Sequence, residues 1–487
     1  MKPMTKPVPR SAALLAVPLA AALLSACSMA PTYERPAAPV ANAYAFNPSG
    51  TAAKTGFATN LAGPGQKAAV DTGWREFFID PRLQQLIAAA LENNRDLRTA
   101  VLRIEEARAL YNIQSADRLP NVNLSAAETR AKTPAFLSSS GQSTIGKRYD
   151  VGASVSSFEL DFFGRVKSLN DAALATYLAT EEARLAAQIA LVSQVAQAYY
   201  TERAYAEQYA LAQQTYEARA RTYKLTQQRA EVGASSRLDL RSNETLMETA
   251  RASALALARQ RAQAENALTL LVGQAPAAAA SGAMPSDLQL TAMHAIPEGL
   301  PSDLLTRRPD IRAAEQRLKA ANANIGAARA AFFPRISLTA ALGSSSPSLH
   351  GLFDSGSGSW SFAPQLTLPI FDAGRNSANL TLAEVRKNIA IADYEKTIQT
   401  AFREVADALA ARDYVGEQEA AQRAVQEAQA DRLKLLQLRF DNGVASSLDV
   451  LDAQRELFSA QQALVQARLL RTTSAIDLYR TLGGGVK

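Results

Sequence analysis

Few side chains in this sequence could act as nucleophiles or metal ligands. The 487 residues include one cysteine, Cys27, and two histidines, His294 and His350. His294 lies in a linker and His350 in a stretch rich in serine and glycine, without the clustered cysteines and histidines of a zinc site. The sequence also lacks a P-loop, a Rossmann fingerprint and a GxSxG nucleophile motif. We therefore expect a protein that is not an enzyme and has no cofactor beyond a covalent lipid.

Cys27 follows a segment with the features of a bacterial lipoprotein signal peptide. Three basic residues precede an apolar run that is shorter than the ~20 residues of a membrane-spanning helix. The run ends in Leu24-Ser25-Ala26-Cys27, where small residues precede a thiol that can accept a diacylglycerol. The alternative is an ordinary signal peptide with a chance cysteine, but a lone thiol in an exported protein has no disulfide partner. The sequence predicts acylation of Cys27, and Ser28, in place of an Asp, favours the outer membrane.

Net charge and hydropathy exclude two further classes of protein. The net charge is +6, and removing the three basic residues of the signal segment leaves 6 − 3 = +3. Basic and acidic residues are interspersed, so no basic stripe predicts nucleic-acid binding. Beyond residue 27 no apolar run is long enough for a membrane-spanning helix. A membrane-spanning part would therefore have to consist of β-strands.

The rest of the sequence is an internal duplication. The stretch around Gly233 matches the stretch around Gly443 at an offset of 210 residues, which also aligns Asp239 with Asp449. Upstream segments repeat at an offset of 214 residues. Two halves of similar length therefore share one plan.

Each half is predicted to contain a helix, a β-hairpin, a very long helix and a shorter helix. The 68 residues after Gly164 contain no proline or glycine, and the 68 after Gly374 contain only Gly416. At 1.5 Å per residue, a helix of this length would be about 100 Å long. The predicted segments are a signal peptide (1–26), a lipidated N-terminal segment (27–82), the first repeat (83–273), a linker (274–301), the second repeat (302–483) and a tail (484–487). The first repeat consists of helix 83–119, hairpin 120–163, long helix 165–232 and helix 234–272. The second consists of helix 302–332, hairpin 334–371, long helix 375–442 and helix 444–482.

The helices alone leave two architectures open. Two short helices placed end to end match one long helix, which favours a tube of parallel helices. Apolar residues at heptad spacing, such as Leu451, Phe458 and Val465, fit the wall of such a tube. They also fit a plain coiled coil or a spectrin-like bundle. The strands must distinguish the two.

The predicted hairpins have one apolar and one polar face. Ile336, Leu338 and Leu342 alternate with polar residues, and so does the stretch from Trp360 to Ile370, although Pro364 weakens that strand. In the first half the alternation shifts before Phe158. The linkers 131–148 and 343–359 are predicted to be exposed loops. Four strands cannot close a barrel, which takes about eight, so we expect a homo-oligomer; counting strands permits a dimer, trimer or tetramer.

Several motifs together resemble the outer membrane factors of RND efflux pumps, in particular the OprM-like, NodT-type lipoproteins of the TolC superfamily. The resemblance spans nearly the whole chain. It rests on the lipobox, Trp74-Arg-Glu-Phe-Phe, Leu91-Glu-Asn-Asn-Arg-Asp-Leu97, Glu159-Leu-Asp-Phe-Phe-Gly164, Gly299-Leu-Pro-Ser-Asp-Leu-Leu305, Arg307-Arg-Pro-Asp310, Gly326-Ala-Ala-Arg-Ala-Ala-Phe-Phe-Pro334 and Leu451-Asp-Ala-Gln-Arg455.

The resemblance implies a mainly α-helical fold with transmembrane β-strands. Three copies would share a 12-stranded β-barrel and a periplasmic α-helical tube, with the N-terminal segment wrapping an equatorial region. The implied function is the passive exit duct of a tripartite multidrug efflux pump. The implied partners are two other copies, a periplasmic membrane-fusion adaptor, an inner-membrane RND pump and outer-membrane lipid, with no nucleic acid.

The resemblance also implies a periplasmic gate at the turn around Gly443. The matching gate residues are Leu448, Asp449, Asp452 and Arg455, and Phe440 stands where related proteins have a tyrosine. The other helix-turn tip contains Gly233 and Asp239. Asp239 and Asp449 could instead only cap their helices, because both follow a turn glycine. Asp452 is aligned with Ser242, so its carboxylate is specific to the second half.

Two other functions remain open. A type I secretion duct has the same fold but exports proteins, and it often lacks a lipobox. A periplasmic adaptor lipoprotein also has a helical hairpin, but it would need a lipoyl-type β domain around a single hairpin. The duplicated hairpins and the strands with an apolar face argue against the adaptor.

Overall fold

A computed structural model describes residues 29–41, 69–139, 141–274 and 306–486. The predictions for Cys27, the signal peptide and most of the linker 274–301 lie outside these residues. Within these residues the chain forms two compact units: one contains residues 29–37, 103–139, 141–180 and 313–394, and the other 38–41, 69–102, 181–274, 306–312 and 395–486. The units are not the two sequence halves, because each contains segments of both.

The helices and strands follow the duplicated plan. The helices are α1 (Trp74–Phe77), α2 (Pro81–Asn93), α3 (Arg95–Ala116), α4 (Arg165–Glu231), α5 (Arg237–Val272), α6 (Pro309–Ala330), α7 (Arg375–Asp441) and α8 (Ser447–Thr481). The strands are β1 (Val122–Thr133), β2 (Thr144–Leu160), β3 (Arg335–Ser346) and β4 (Gly358–Thr367). The long helices α4 and α7 have 67 residues each. The shorter helices α5 and α8 begin three residues later than predicted, because the tight turns before them take up those residues.

The single helix predicted over 83–119 is wrong, because the chain has two helices separated at Asn94. Asn94 has an extended backbone, and its side-chain Oδ1 accepts a hydrogen bond from the Leu97 amide at 2.9 Å, as an N-cap does. Its Nδ2 donates to the carbonyl of Leu271 at 2.8 Å. This long-range bond fixes the break at Asn94. Helix propensity, which depends only on neighbouring residues, could not predict the bond.

The N-terminal segment 29–37 lies along α6 within the first unit. The Arg35 guanidinium donates to both carboxylate oxygens of Glu315, at 3.0 and 2.9 Å. Further along, the Asn322 amide donates to the carbonyl of Pro31 at 2.7 Å. Desolvation tends to raise the pKa of Glu315, but the hydrogen bonds from Arg35 and the charge of Lys319 lower it overall.

The four strands form one antiparallel sheet in the order β1-β2-β3-β4. A β-bulge explains the shift of the alternation in β2. Val155 pairs with Ala340 and Phe158 with Leu338, so three residues advance on β2 where two advance on β3. Val155 and Phe158 therefore share a face. Ser157, inside the bulge, has a φ of 52°.

The loops between the strands are shorter than the predicted 131–148 and 343–359. Strand pairing continues to Thr133 opposite Thr144, and β3 continues to Ser346. Backbone pairing does not require apolar side chains, so polar residues extend both hairpins past their apolar part. The weak position at Pro364 does not interrupt β4, where it pairs with Leu338.

One face of the sheet is apolar and exposed in the single chain. Leu124 on β1 and Trp360 on β4 are 83% and 78% exposed. Between them, Ala153 and Leu342 complete a row across all four strands. A face of this kind on a protein surface indicates contact with a membrane or with another chain. No helix within the described ranges is both long and apolar enough to cross a membrane.

The strands β2 and β3 approach closely at a pair of glycines. A Cβ added to Gly343 would lie 2.1 Å from the Val151 carbonyl oxygen and 2.6 Å from the Cα of Gly152. We expect Gly343→Ala to destabilise the fold by about 1–3 kcal/mol, because the two backbones must separate. Thermal unfolding in detergent measures this change. The matched control is Gly358→Ala, whose added Cβ would meet nothing within 4 Å; equal melting of the two variants would contradict the prediction.

The second unit has an aromatic and ionic core. Tyr479 near the end of α8 is fully buried, stacks on Phe77 at 4.0 Å and donates to the Thr72 carbonyl at 2.7 Å. The buried guanidinium of Arg308 donates to Glu404 on α7 at 2.7 Å and to the Thr481 carbonyl at 3.1 Å. These contacts hold the start of the second repeat and the end of α8 together.

Candidate functional site

The two long helices end in turns with the same backbone structure. We call residues 219–246 the first tip and residues 429–456 the second tip. At the first tip the Ala234 amide donates to the Arg229 carbonyl at 2.7 Å, and at the second the Val444 amide donates to the Arg439 carbonyl at 2.8 Å. Gly233 and Gly443 both have a φ of 75°. These are Schellman C-caps, in which glycine adopts the left-handed conformation.

A capping box starts the shorter helix at each tip. The hydroxyl of Ser446 accepts a hydrogen bond from the Asp449 amide at 3.2 Å, and the Asp449 carboxylate accepts from the Ser446 amide at 3.0 Å. Ser236 and Asp239 repeat this arrangement at the first tip. Asp239 and Asp449 therefore both have a structural role, which is the alternative considered from the sequence.

The capping box predicts how the second tip responds to acid. Hydrogen bonds from the Ser446 hydroxyl and amide lower the pKa of Asp449 below its ordinary value. A lowered pKa in the folded state stabilises the tip above the unfolded pKa of about 3.9, and this contribution is lost as the pH falls through the lowered value. Hydrogen exchange in the first turn of α8, corrected for intrinsic rates, should accelerate over that range. In Ser446→Ala the pKa of Asp449 lies closer to its unfolded value, so the acceleration should be smaller and should be complete at a higher pH; identical profiles for the variant and the wild type would contradict this account.

The second tip also holds a cluster of charges that the first tip lacks. Asp452 accepts from Arg455 on its own helix at 2.5 Å and from Arg432 on α7 at 3.3 Å, and Arg455 also contacts Glu456. We call these four residues the Asp452 cluster. Their equivalents at the first tip are uncharged: Thr222, Ser242, Thr245 and Leu246.

Sequence reasoning identified Asp452 and Arg455 but missed Arg432. Its carboxylate partner is 20 residues away, across the turn. The mismatch of Arg432 with Thr222 in the repeat was a signal that could have identified it. Arg432 ties α7 to α8 close to their common turn, so the cluster joins the two helices of the hairpin.

The remaining predicted residues surround this cluster. Leu448 on the first turn of α8 is 69% exposed, and Phe440 on the last turn of α7 is 37% exposed. Arg432, Arg439, Val444 and Asp449 line an open groove between the two helices. The site thus combines exposed apolar and charged side chains, an arrangement suited to contact with another chain.

The geometry offers no metal-binding centre in the described ranges. No group of three or more His, Cys, Asp or Glu side chains within them could hold a metal ion. What the second tip can do is form and release ion pairs at the end of a long two-helix hairpin.

Comparisons with known proteins cover almost the entire chain. The model of the outer membrane efflux protein family matches residues 86–274 and 300–484. The chain is 50% identical over 468 residues to the outer membrane protein OprJ of Pseudomonas aeruginosa, covering 96% of this chain and 95% of that protein. It is 47% identical over 472 residues to the toluene efflux pump outer membrane protein TtgC of Pseudomonas putida, covering 97% and 95%.

Solved structures agree with these matches. A membrane protein from Pseudomonas aeruginosa superposes with a TM-score of 0.82 at 47% identity, covering 94% of this chain and all of that one. The open state of the MtrE outer membrane channel of Neisseria gonorrhoeae superposes with a TM-score of 0.82 at 42% identity, covering 95% and 99%. The chain belongs to the outer membrane efflux protein family.

Proposed function

We propose that this protein is the outer-membrane channel of a tripartite RND-type multidrug efflux pump. It acts as a passive duct from a periplasmic adaptor and an inner-membrane pump to the cell exterior. The observation that carries the proposal is the full-length similarity to outer membrane proteins of efflux pumps, together with a sheet whose apolar face is exposed. Energy for transport comes from the pump, because this sequence has no nucleotide-binding or redox motif.

We infer a homotrimer from the family resemblance, and the unpaired edges of the sheet support pairing between copies. β1 and β4 are its two outer strands in the described part of the chain, so each leaves one row of backbone groups without a strand partner. An apolar sheet with open edges is not stable in lipid. Pairing β4 of one copy with β1 of the next continues the sheet, and three copies of four strands give the twelve strands of a closed barrel.

The internal repeat predicts which helices meet between neighbouring copies. Within the chain, β2 pairs with β3, and the attached helices α4 and α6 share a buried cluster that includes Ala175 and Ala323. By repeat symmetry, pairing of β4 with the next copy's β1 brings α7 against that copy's α3. The equivalent positions are Val385 on α7 and Ala109 on α3, and both are exposed in the single chain.

Cross-linking tests this arrangement. Ala109→Cys combined with Val385→Cys, in a Cys27→Ala background, should form disulfides between copies and give a ladder that ends at three. The control pair is Val232→Cys with Val385→Cys, which places one thiol at the first tip and should not cross-link. Cross-links within one chain only, or a ladder that ends at two, would contradict the trimer.

The proposal includes a lipid on Cys27. It rests on the lipobox Leu24-Ser25-Ala26-Cys27 and on the absence of any other cysteine in the sequence. Mass spectrometry of the mature N-terminus should find acylated Cys27, and an unmodified N-terminus at another residue would refute the lipidation. We expect Cys27→Ala still to insert into the membrane, because the sheet provides its own apolar surface.

The second tip is the proposed periplasmic gate. In a trimer, three Leu448 side chains and three Asp452 clusters would surround the pore axis. The ion pair of Asp452 with Arg432 supports this role, since it joins α7 to α8, and Arg455 pairs with Asp452 within α8. Asp449 contributes through the capping box.

A deletion strain tests the function as a whole. Deleting the gene should increase susceptibility to several unrelated drugs, dyes and detergents, and the wild-type gene should restore resistance. Unchanged susceptibility combined with loss of a secreted protein would instead indicate a type I secretion duct.

A further inference from the structure

The hairpin of β1 and β2 extends past β4. Gly358 is the first residue of β4, and its row across the sheet runs through Ser344, Val151 and Ala126. Beyond that row β1 continues to Thr133, about 24 Å further along the strand at 3.4 Å per residue. We call residues 127–133 and 144–150 the outer hairpin. Because the helices attach at the other ends of these strands and extend into the periplasm, the outer hairpin lies at the extracellular end of the proposed barrel.

The apolar face of the sheet becomes basic on the outer hairpin. The register of β1 with β2 runs unbroken from Val122 to Thr133, so every second residue of β1 stays on the face of Leu124. Three exposed cations follow one another on that face, and we call them the basic cluster: Arg130, Lys147 and Lys132. The basic cluster therefore continues the surface that the proposed barrel presents to lipid.

The cations of the basic cluster lie opposite each other instead of opposite carboxylates. Arg130 is paired directly with Lys147 in the register, and like charges at such positions destabilise a sheet. Among the described residues of the outer hairpin, Glu128 is the only carboxylate on this face. Its Oε1 already accepts from Arg130 and from the Tyr149 hydroxyl. Three cations and one carboxylate leave a charge of 3 − 1 = +2 on this face of each chain.

The opposite face of the outer hairpin has no such excess. Its charged residues are Arg148 and Asp150, which pair at 2.8 Å. The positive charge is therefore confined to the face that continues the membrane-facing surface. A folded protein that places like charges together at the border of its apolar surface presents a site for an anionic partner.

We propose that the basic cluster binds the phosphate groups of lipopolysaccharide in the outer leaflet of the outer membrane. Tyr149 lies between the apolar rows and the basic cluster, where a ring with a hydroxyl suits the border between acyl chains and headgroups. The long stems of the cations can lie along the strands while their charged ends reach phosphate oxygens. The inference rests on the barrel of the proposed channel and names the lipid that surrounds its outer end.

Binding of lipopolysaccharide to the purified wild-type trimer in detergent tests this site. A fluorescently labelled lipopolysaccharide should bind, and the same lipid after chemical removal of its phosphates should bind much more weakly. Raising the salt concentration should weaken binding of the intact lipid. Equal binding of the two forms would overturn the proposal. So would equally tight binding of phosphatidylglycerol or of inorganic phosphate.

Variants of two neighbouring residues separate the site from general charge. Lys147→Gln should weaken binding about fivefold, and Lys132→Gln with Lys147→Gln about 25-fold, at about fivefold per cation near a lipid surface. Lys147→Arg should bind like the wild type. The matched control is Arg148→Gln, which removes the same charge from the opposite face and should change binding less than twofold. Equal weakening by Lys147→Gln and Arg148→Gln would overturn the proposal.

The outcomes also separate this site from the proposed function. If intact trimers of the double lysine variant bind lipopolysaccharide as tightly as the wild type, the site is wrong, whatever the deletion strain shows. If the deletion strain keeps its resistance while lipopolysaccharide binding depends on Lys132 and Lys147, the efflux function is wrong and the lipid site stands.

Discussion

Cells that carry Asp452→Ala with Arg455→Ala should become permeable to vancomycin, which is too large to pass an intact outer membrane. The double change removes the ion pair of Asp452 with Arg455 within α8 and the ion pair of Asp452 with Arg432 on α7. Only the partly exposed pair with Arg432 joins α7 to α8. It contributes about 0.5 kcal/mol, so three copies contribute about 1.5 kcal/mol, which corresponds to a roughly tenfold larger open fraction. Vancomycin susceptibility and dye uptake measure the leak, while resistance that depends on the pump should persist.

The first tip provides the matched control for this experiment. Ser242→Ala with Thr245→Ala changes the equivalent positions of α5, whose side chains carry no charge. These cells should remain as impermeable as the wild type. If the Asp452 and Arg455 variant also remains impermeable, the gate does not lie at these residues.

Replacing Arg308 with leucine should strongly destabilise the second unit. The Arg308 side chain is 9% exposed and holds Asp310, Glu404 and the Thr481 carbonyl. Removing Arg308 takes the ion pair from Asp310 and leaves Glu404 with only Arg480, at 3.9 Å. Breaking a buried pair in this way costs about 3 kcal/mol, at the lower end of the range because both carboxylates are partly exposed. The melting temperature in detergent, at fixed protein concentration, should fall by several degrees.

The neighbouring arginine provides the control. Arg307 pairs with Asp71 at 3.2 Å, and both side chains are about half exposed. Arg307→Leu should therefore change stability by no more than about 1 kcal/mol. Equal melting temperatures for the two variants would refute the central position that we assign to Arg308.

The duplicated helices could be predicted because their signals are local. Absence of proline and glycine predicts the long helices, and Gly233 and Gly443 mark the turns that end them. The shift of alternation before Phe158 was also visible in the sequence, although only the pairing of Phe158 with Leu338 reveals a bulge. The break at Asn94 was missed because it depends on a bond to Leu271, which is 177 residues away.

The candidate site shows the same division between local and long-range signals. Asp449 and Ser446 lie three residues apart, so a capping role could be considered from sequence alone. Arg432 could not be paired with Asp452 without the geometry of the turn that brings α7 and α8 together. The contact of Arg35 with Glu315 was equally out of reach, since 280 residues separate them.

Planar-bilayer recording of the purified protein tests the central claim, that this chain forms a gated channel, most directly. The wild-type trimer should give discrete but infrequent and small conductance steps, and Asp452→Ala with Arg455→Ala should give steps that are larger and more frequent. The Ser242→Ala and Thr245→Ala variant should behave like the wild type. An intact trimer that inserts into the bilayer and gives no conductance steps, with or without the gate substitutions, would contradict the claim.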